Sequence, residues 1–241
     1  MHLRNGKMVS NNIVMIFDTE TTGLGLKNKE VKGVKTELQS GSYYYKKPIE
    51  TEPYITQLCY IIFDLHANQI LKQFCEYIQL PENVEISERA SEITGITKEK
   101  CQTEGIPLQT AMISFYRDLH KVNLLVAHNY TFDKHLLTIS MKRCFSSTTF
   151  RNKCPFADRI FTSEYLFSCK IDYYCTMMHS IHVCKIYFEG KTSGAYKWPK
   201  LEELHRHLFN EVPANLHDAL TDVKACLRCF LQMQVRNFIN K

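Results

Sequence analysis

The sequence predicts a single α/β domain, a mixed sheet covered by helices, and three observations predict it. Short apolar runs rich in β-branched residues come first, as at Ile13 to Phe17. Stretches with apolar residues at helical spacing follow, and one more short apolar run, Leu124 to Ala127, stands between two of them. Strands followed by helix, strand and helix are the pattern of a sheet with helices packed on its faces. A chain of 241 residues that is 44% hydrophobic can bury one sizeable core, so one domain spanning 1–241 is expected.

Ile13 to Phe17 lies between Asn11-Asn12 and a polar cluster, and reads as a strand buried on both faces. Thr56 to Leu65 and Gln69 to Leu80 read as two strands joined by a tight turn at His66-Ala67-Asn68. Pro107 opens a helix to Lys121, with Leu108, Ala111, Met112, Phe115 and Leu119 at helical spacing. Leu124 to Ala127 suits another buried strand, and Thr131 to Arg143, Lys200 to Phe209 and Asp218 to about Asn237 read as helices. Two stretches interrupt this order. Lys27 to Pro53 is rich in Lys, Gly and Tyr, and Phe145 to Lys170 is long and irregular. Loops of that length inside a domain are usually functional or flexible.

The formal net charge of +5 and a pI near 8.6 permit a polyanionic partner without requiring one. No apolar stretch is long enough for a signal peptide or for the ~20 residues of a membrane span. The expectation is an intracellular soluble protein, cytoplasmic or nuclear. Without a secretory signal the ten cysteines are expected to be reduced core residues. The dense set Cys144, Cys154, Cys169, Cys175, His179, His182 and Cys184 lacks the paired spacings of a zinc site. Cys226 and Cys229 are paired, but with no second pair nearby.

Three segments hold residues suited to chemistry. In Phe17-Asp18-Thr19-Glu20-Thr21-Thr22-Gly23-Leu24, Asp18 and Glu20 share one side of a strand, because residues two apart do so. Two carboxylates ~4 Å apart repel by about 4 kcal/mol at an effective dielectric of 20, which a hard cation between them would relieve. A solvated turn explains the same residues. In Ala127-His128-Asn129-Tyr130-Thr131-Phe132-Asp133, Asp133 falls in the first turn of a helix, level with Asp18 if their strands are neighbours. An acid there is also favoured by the helix dipole alone. In His217-Asp218-Ala219-Leu220-Thr221-Asp222, five residues turn a helix by about 500°, so His217 and Asp222 share a site only if His217 lies on the preceding loop. Asp222 aligns with Ala219, Cys226 and Cys229, an inward face on which a lone carboxylate is costly unless a metal or buried Arg compensates. Asp218 reads as the N-terminal cap.

These segments, in this order, resemble the DEDDh exonucleases, a family that includes the bacterial proofreading exonuclease, oligoribonuclease and the mammalian 3′-repair exonucleases. Asp18, Glu20, Asp133, His217 and Asp222 occupy every position of the family pattern, and Thr-Thr-Gly-Leu after Glu20 matches too. Ser91 to Thr97 is similar to a turn of the proofreading relatives, while Pro53 to Gln57 and Cys175-Thr-Met are weaker matches. The resemblance covers about Ile13 to Phe230 and implies a ribonuclease H-like fold, a five-stranded mixed sheet flanked by helices. It implies a 3′→5′ exonuclease releasing nucleoside 5′-monophosphates. Asp18, Glu20, Asp133 and Asp222 would hold two Mg²⁺ or Mn²⁺ ions, and His217 would act as general base.

The same resemblance places the terminal nucleotide at the turn after Glu20, gripped by its backbone amides. Thr21, Thr22, Leu24, His128, Asn129 and Phe132 are the candidates, with core packing as the plain alternative for Phe132. The insertions, at 27–53 and 145–170, carry Lys27, Lys29, Lys32, Lys46, Lys47, Arg151 and Lys153, with Lys142 and Arg143 beside them, for phosphates, and Tyr43 to Tyr45 for stacking on bases. A solvated hairpin explains that composition equally. The expected partner is single-stranded or 3′-ended nucleic acid, DNA ahead of RNA. The chain ends with its last helix, so a free-standing enzyme is expected ahead of association with a polymerase. The alternatives are a catalytically inactive nucleic-acid-binding module on the same fold and a phosphohydrolase using His217-Asp218. The second leaves Asp18 and Glu20 unexplained.

Overall fold

The computed structural model describes residues 13–23, 34–37, 43–46, 48–213 and 218–239. Seven strands are found among them: β1 (Ile13–Thr21), β2 (Val34–Glu37), β3 (Tyr43–Lys46), β4 (Ile55–Asp64), β5 (Gln69–Tyr77), β6 (Leu124–Ala127) and β7 (Asp172–Cys175). Five form the main sheet in the order β5-β4-β1-β6-β7. β1 pairs antiparallel with β4 and parallel with β6, and β6 pairs parallel with β7, so β1 is central. That centrality accounts for its apolar run: Val14, Met15, Ile16 and Phe17 are all buried, with no face left for solvent.

Helices cover both faces. They are α1 (Glu88–Thr94), α2 (Lys98–Thr103), α3 (Leu108–Leu119), α4 (Tyr130–Cys144), α5 (Thr148–Lys153), α6 (Ser163–Ser168), α7 (Thr176–Cys184), α8 (Leu201–Phe209) and α9 (Ala219–Ile239). Met15, Phe17, Tyr60 and Leu125 point to one face and pack with Phe115 of α3 and Leu136 and Leu137 of α4. Val14, Ile16, Ile61 and Val126 point to the other and pack with Leu204 of α8 and Val223, Cys226 and Phe230 of α9. Period-two alternation along each strand divides the core between the two layers.

The two stretches read as insertions take different forms. Within 27–53, Val34–Glu37 and Tyr43–Lys46 pair antiparallel, with Thr36 opposite Tyr44. Phe145 to Lys170 is not irregular. It holds α5 and α6, each started by a hydroxyl cap, Ser147 to the Phe150 amide and Thr162 to the Tyr165 amide. Its Phe150, Cys154, Ile160, Phe161 and Leu166 are buried in the core beside α3. Helices of six residues are too short to print a periodic signal.

One cysteine pair also departs from expectation. Cys59 and Cys75 sit directly opposite each other on β4 and β5 and are joined as a disulfide. The other eight cysteines form no disulfide, and six of them are buried, as expected of small core residues.

Away from the sheet end, Asp118 is fully buried and accepts from the Tyr60 hydroxyl at 2.7 Å, from Lys121 Nζ at 2.7 Å, and from Lys72 Nζ. Burial raises its pKa, but the bonds from Lys121, Lys72 and Tyr60 outweigh that and hold it below the usual range. Asp118→Ala strands the Tyr60 hydroxyl in the core, and about 3 kcal/mol of stability should be lost. Denaturant midpoints at neutral pH measure it; a loss under about 1 kcal/mol would contradict the assigned role.

Candidate active site

The acidic residues meet at the end of β1. Asp18 and Glu20 leave the strand on the α9 side, continuing the alternation of Val14 and Ile16. Asp222 leaves the first turn of α9 on the inner face it shares with Ala219, Val223 and Cys226. One carboxylate oxygen from each of Asp18, Glu20 and Asp222 lies within 4.8 Å of the others. Asp218 accepts from the Thr221 amide at 3.1 Å and is the cap the sequence predicts.

Asp133 arrives from the other layer. β6 ends at Ala127, so beyond that point the backbone of β1 has no strand on that side to pair with. The Asp133 Oδ1 takes the place of the missing partner, accepting from the Thr19 amide at 3.0 Å and from its hydroxyl at 2.8 Å. A buried backbone N–H is thereby satisfied, and a carboxylate is fixed beside Asp18. Thr19 was not among the residues singled out from sequence. Its signal is positional: between Asp18 and Glu20 on a strand, it faces the opposite layer, where α4 begins.

Like charges at this spacing leave a mark on proton affinity. Burial first, then the charges of Asp133, Glu20 and Asp222, push the Asp18 carboxyl well above the usual range. Glu20 is pushed up to about 8 by burial, then by Asp222, Asp133 and Asp218. Asp133 is pushed up to about 7 by burial, against which its bonds from Thr19 act. Burial holds all three carboxyls back from ionising, and at Asp18 and Glu20 acidic neighbours add to it. A hard divalent ion reverses this, since it prefers anionic oxygen donors and neutralises their repulsion. The site therefore fits such an ion, with Asp18, Glu20 and Asp222 as the donors closest together. Among the described residues the cysteines and histidines of 144–184 form no comparable cluster.

The other predicted residues divide. Leu24 and His217 lie outside the described residues. The turn after Glu20 is fixed by the protein itself. The Thr22 amide donates to the Tyr54 carbonyl at 2.9 Å, the Thr22 hydroxyl accepts from the Tyr54 amide at 3.1 Å, and the Thr22 carbonyl accepts from the Ser87 amide at 2.9 Å. Thr21 donates its hydroxyl to the Gly23 carbonyl at 2.8 Å. The Thr22 amide is thus bonded within the protein, and Thr22 fixes the turn in place. Gly23 has φ of +150°, and a Cβ there would lie 3.1 Å from the Ser87 hydroxyl, so the turn approaches α1 where a side chain would not fit.

His128 is bonded within the protein at both ring nitrogens. Its Nε2 donates to the Pro199 carbonyl at 3.1 Å and its Nδ1 accepts from the Thr176 hydroxyl at 2.9 Å, the tautomer those partners require. Burial lowers its pKa to about 4, so it stays neutral. Thr176 in turn lies 3.6 Å from Cys226 Sγ, one helical turn along α9 from Asp222. The chain Pro199, His128, Thr176, Cys226 ties β6, α7 and α9 together behind the acids. Asn129 holds a left-handed conformation before α4 without capping it, and Phe132 is half-buried against the core.

Arg143 and Arg151 are bonded within the protein. Arg143 donates to the Ile49, Glu52 and Pro53 carbonyls at 2.6–2.8 Å and stacks on Tyr54, and Arg151 bonds the Phe145 and Ser146 carbonyls. Lys142 and Lys153 are exposed, while Lys27, Lys29, Lys32 and Lys47 lie outside the described residues. An open cleft of about 830 Å³ beyond Tyr54, lined by Ile49, Gln79, Pro107 and Lys142, holds none of the acids. No helix among the described residues is long and apolar enough to cross a membrane.

The fold matches exonuclease I structures. Exonuclease I of E. coli in complex with a dA16 oligonucleotide aligns with a TM-score of 0.62 at 19% identity, covering 93% of this chain and 41% of that one. The zinc-bound form of the E. coli enzyme with single-stranded DNA aligns with a TM-score of 0.64 at 17% identity, covering 94% and 41%. The moderately thermophilic exonuclease I of Methylocaldum szegediense aligns with a TM-score of 0.61 at 16% identity, covering 93% and 41%. This chain thus spans less than half the length of those proteins. No curated protein sequence matches it. The exonuclease family model, RNase T, matches residues 15–230, nearly the whole chain and every strand of the main sheet. With the acidic end of β1 inside that match, the chain belongs to the exonuclease family.

Proposed function

We propose that this chain removes nucleotides one at a time from the 3′ end of a single nucleic-acid strand, DNA ahead of RNA. Asp18, Glu20, Asp133 and Asp222 hold two Mg²⁺ or Mn²⁺ ions, and His217 is the general base. One observation carries this reading: three carboxylates from β1 and α9 lie within 4.8 Å of one another, with Asp133 anchored beside them through Thr19. The bound ions supply Lewis acidity at the scissile phosphate. His217 accepts the proton of the attacking water at a ring nitrogen, help typically worth about 10²–10⁴ in rate. Water's oxygen bonds to phosphorus, the bond from phosphorus to the 3′ oxygen breaks, and that oxygen takes up a proton from solvent and leaves as the new 3′ hydroxyl. The product is a nucleoside 5′-monophosphate.

Thr21 and Thr22, in the turn that leads to Leu24 in the sequence, border the site, and Asn129 and Phe132 stand at the start of α4 beside it. These are the contacts proposed for the terminal nucleotide. The oligonucleotides and single-stranded DNA bound by the exonuclease I relatives support a single strand as substrate.

Digestion of 3′- and 5′-labelled DNA and RNA oligonucleotides tests the proposal. The expected result is a ladder shortening from the 3′ end in Mg²⁺ or Mn²⁺, abolished by EDTA and by His217→Ala. Binding without cleavage of any strand would replace the enzyme with a nucleic-acid-binding module.

A further inference from the structure

Between α7 and α8 the chain makes a hairpin. Tyr187 and Tyr196 pair antiparallel across it, and the Lys197 amide donates to the Ile186 carbonyl at 2.8 Å. The hairpin adds no strand to the main sheet, yet it is rich in exposed aromatic surface. Trp198 is 63% exposed and Phe188 is 51% exposed. The Tyr187 and Tyr196 rings lie 4.9 Å apart, and the His182 ring meets Tyr196 edge-on at 6.0 Å. Large apolar rings left in water at this density mark an interaction surface.

The charge around them selects the partner. Residues 185–200 hold Lys185, Lys191, Lys197 and Lys200 against one acid, Glu189. Lys197 is engaged by Glu203 at 2.5 Å, while Lys185, Lys191 and Lys200 are exposed. Exposed rings interleaved with lysines suit a chain of stackable bases on an anionic backbone, since every base offers a face to stack and every linkage a charge. A duplex conceals its base faces. A protein partner would gain little from lysines, which are depleted in the centres of protein interfaces.

Position connects the hairpin to the acids. Trp198 directly precedes Pro199, which is buried and whose carbonyl accepts from His128 Nε2 at 3.1 Å. Through His128 the base of the hairpin is fixed to the end of β6, the end at which Asp133 reaches β1. We infer that the hairpin at 186–198 is a stacking surface for the single strand that runs away from the active site, with Trp198 and Phe188 as its base contacts. The inference rests on the exonuclease reading for the direction of the strand, and adds a binding surface that the acids do not provide.

Trp198 is the protein's one tryptophan, so its fluorescence reports on the site directly. In EDTA, titration with an oligothymidylate of about 12 nucleotides should quench it saturably, and added salt should reverse the effect. Fluorescence anisotropy of a dye-labelled strand should show Trp198→Ala and Phe188→Ala each binding at least about fivefold more weakly, with Trp198→Phe restoring most of the loss. Ile70→Ala, half-exposed on the opposite edge strand β5, should bind like the parent. A strand that binds by anisotropy without changing the tryptophan signal would overturn the inference. So would quenching by blunt duplex equal to that by the single strand, or an unchanged affinity in Trp198→Ala. Because binding is read in EDTA, it is separate from cleavage. Quenching by a protein that cleaves nothing would leave the hairpin assigned and sink the exonuclease proposal; cleavage without quenching would do the reverse.

Discussion

Asp18→Asn is expected to cut hydrolysis on the order of 10⁴-fold while leaving the fold intact, and to make the metal-free protein more stable than its parent. The substitution keeps the volume and removes only the charge. Asp18 is raised by burial and by Asp133, Glu20 and Asp222 together, so its charge is opposed by its surroundings. A neutral amide relieves that opposition and at the same time deletes a donor for the ion. Asp222→Asn should cost a comparable factor, because the two oxygens belong to one cluster within 4.8 Å. The double variant should then be only slightly worse than either single one, since residues that act as a unit do not lose activity additively. Activity within tenfold of the parent would remove Asp18 from the site. A destabilised Asp18→Asn protein would show that the carboxyl serves the fold, and the gain in stability is the part that a purely structural role cannot produce.

What was legible in the sequence follows from how local each signal is. Asp18 and Glu20 could be placed on one side of a strand because alternation is a two-residue property. Asp222 could be aimed inward because Ala219, Cys226 and Cys229 mark the same helix face. Asp133 was placed level with Asp18 from the short run before it, and the structure puts it there, joined through Thr19. That last bond spans 114 positions, and no local pattern announces it. The Cys59–Cys75 pair is a middle case. Both strands and their turn were expected, and the pairing follows once the register across the turn is fixed. What failed was short or nonlocal. β7 is four residues with exposed Asp172 and Tyr173, so it lacks the apolar run that identified Leu124–Ala127. The helices inside Phe145 to Lys170 bury their apolar residues singly. The arginines near the insertions read as phosphate contacts by type, but their guanidinium groups are committed to backbone carbonyls.

The same reasoning explains why the site lies where it does. β6 is shorter than β1, so β1 outruns its parallel neighbour, and its last residues have one bare edge and two faces. α4 fills the edge with Asp133, and α9 covers one face with Asp222. A sheet of equal strands would close that gap with backbone pairing and leave no room for clustered carboxylates. Crevices at the carboxyl ends of parallel strands are where such sheets bind ligands, and here the inequality of two strands opens one.

A metal-free sample should lose stability as pH rises from 6.5 to 8, and Mg²⁺ should restore it at pH 8. The sign follows from the acids. Glu20 is raised to about 8 and Asp133 to about 7 in the folded protein, from ordinary values of 4.5 and 3.8. Between those limits the folded state holds protons that the unfolded state has released, so stability is greatest at low pH and falls as pH climbs through the folded values. His128 works in the opposite sense below its ordinary value of 6.5, because it stays neutral when folded, and the comparison is therefore made above that pH. An ion that binds only the folded protein at a hundred times its dissociation constant adds about 2.7 kcal/mol, or roughly 5–10 °C in melting temperature for a chain of this size. The gain should shrink at pH 6.5, where protons compete for the same oxygens, and should be smaller in Asp18→Asn at either pH. Melting curves in EDTA and in excess Mg²⁺ at both pH values decide it. A metal-free protein that gains stability toward pH 8, or a Mg²⁺ effect equal at both pH values, would mean that the carboxylates at the end of β1 are not the ion's ligands.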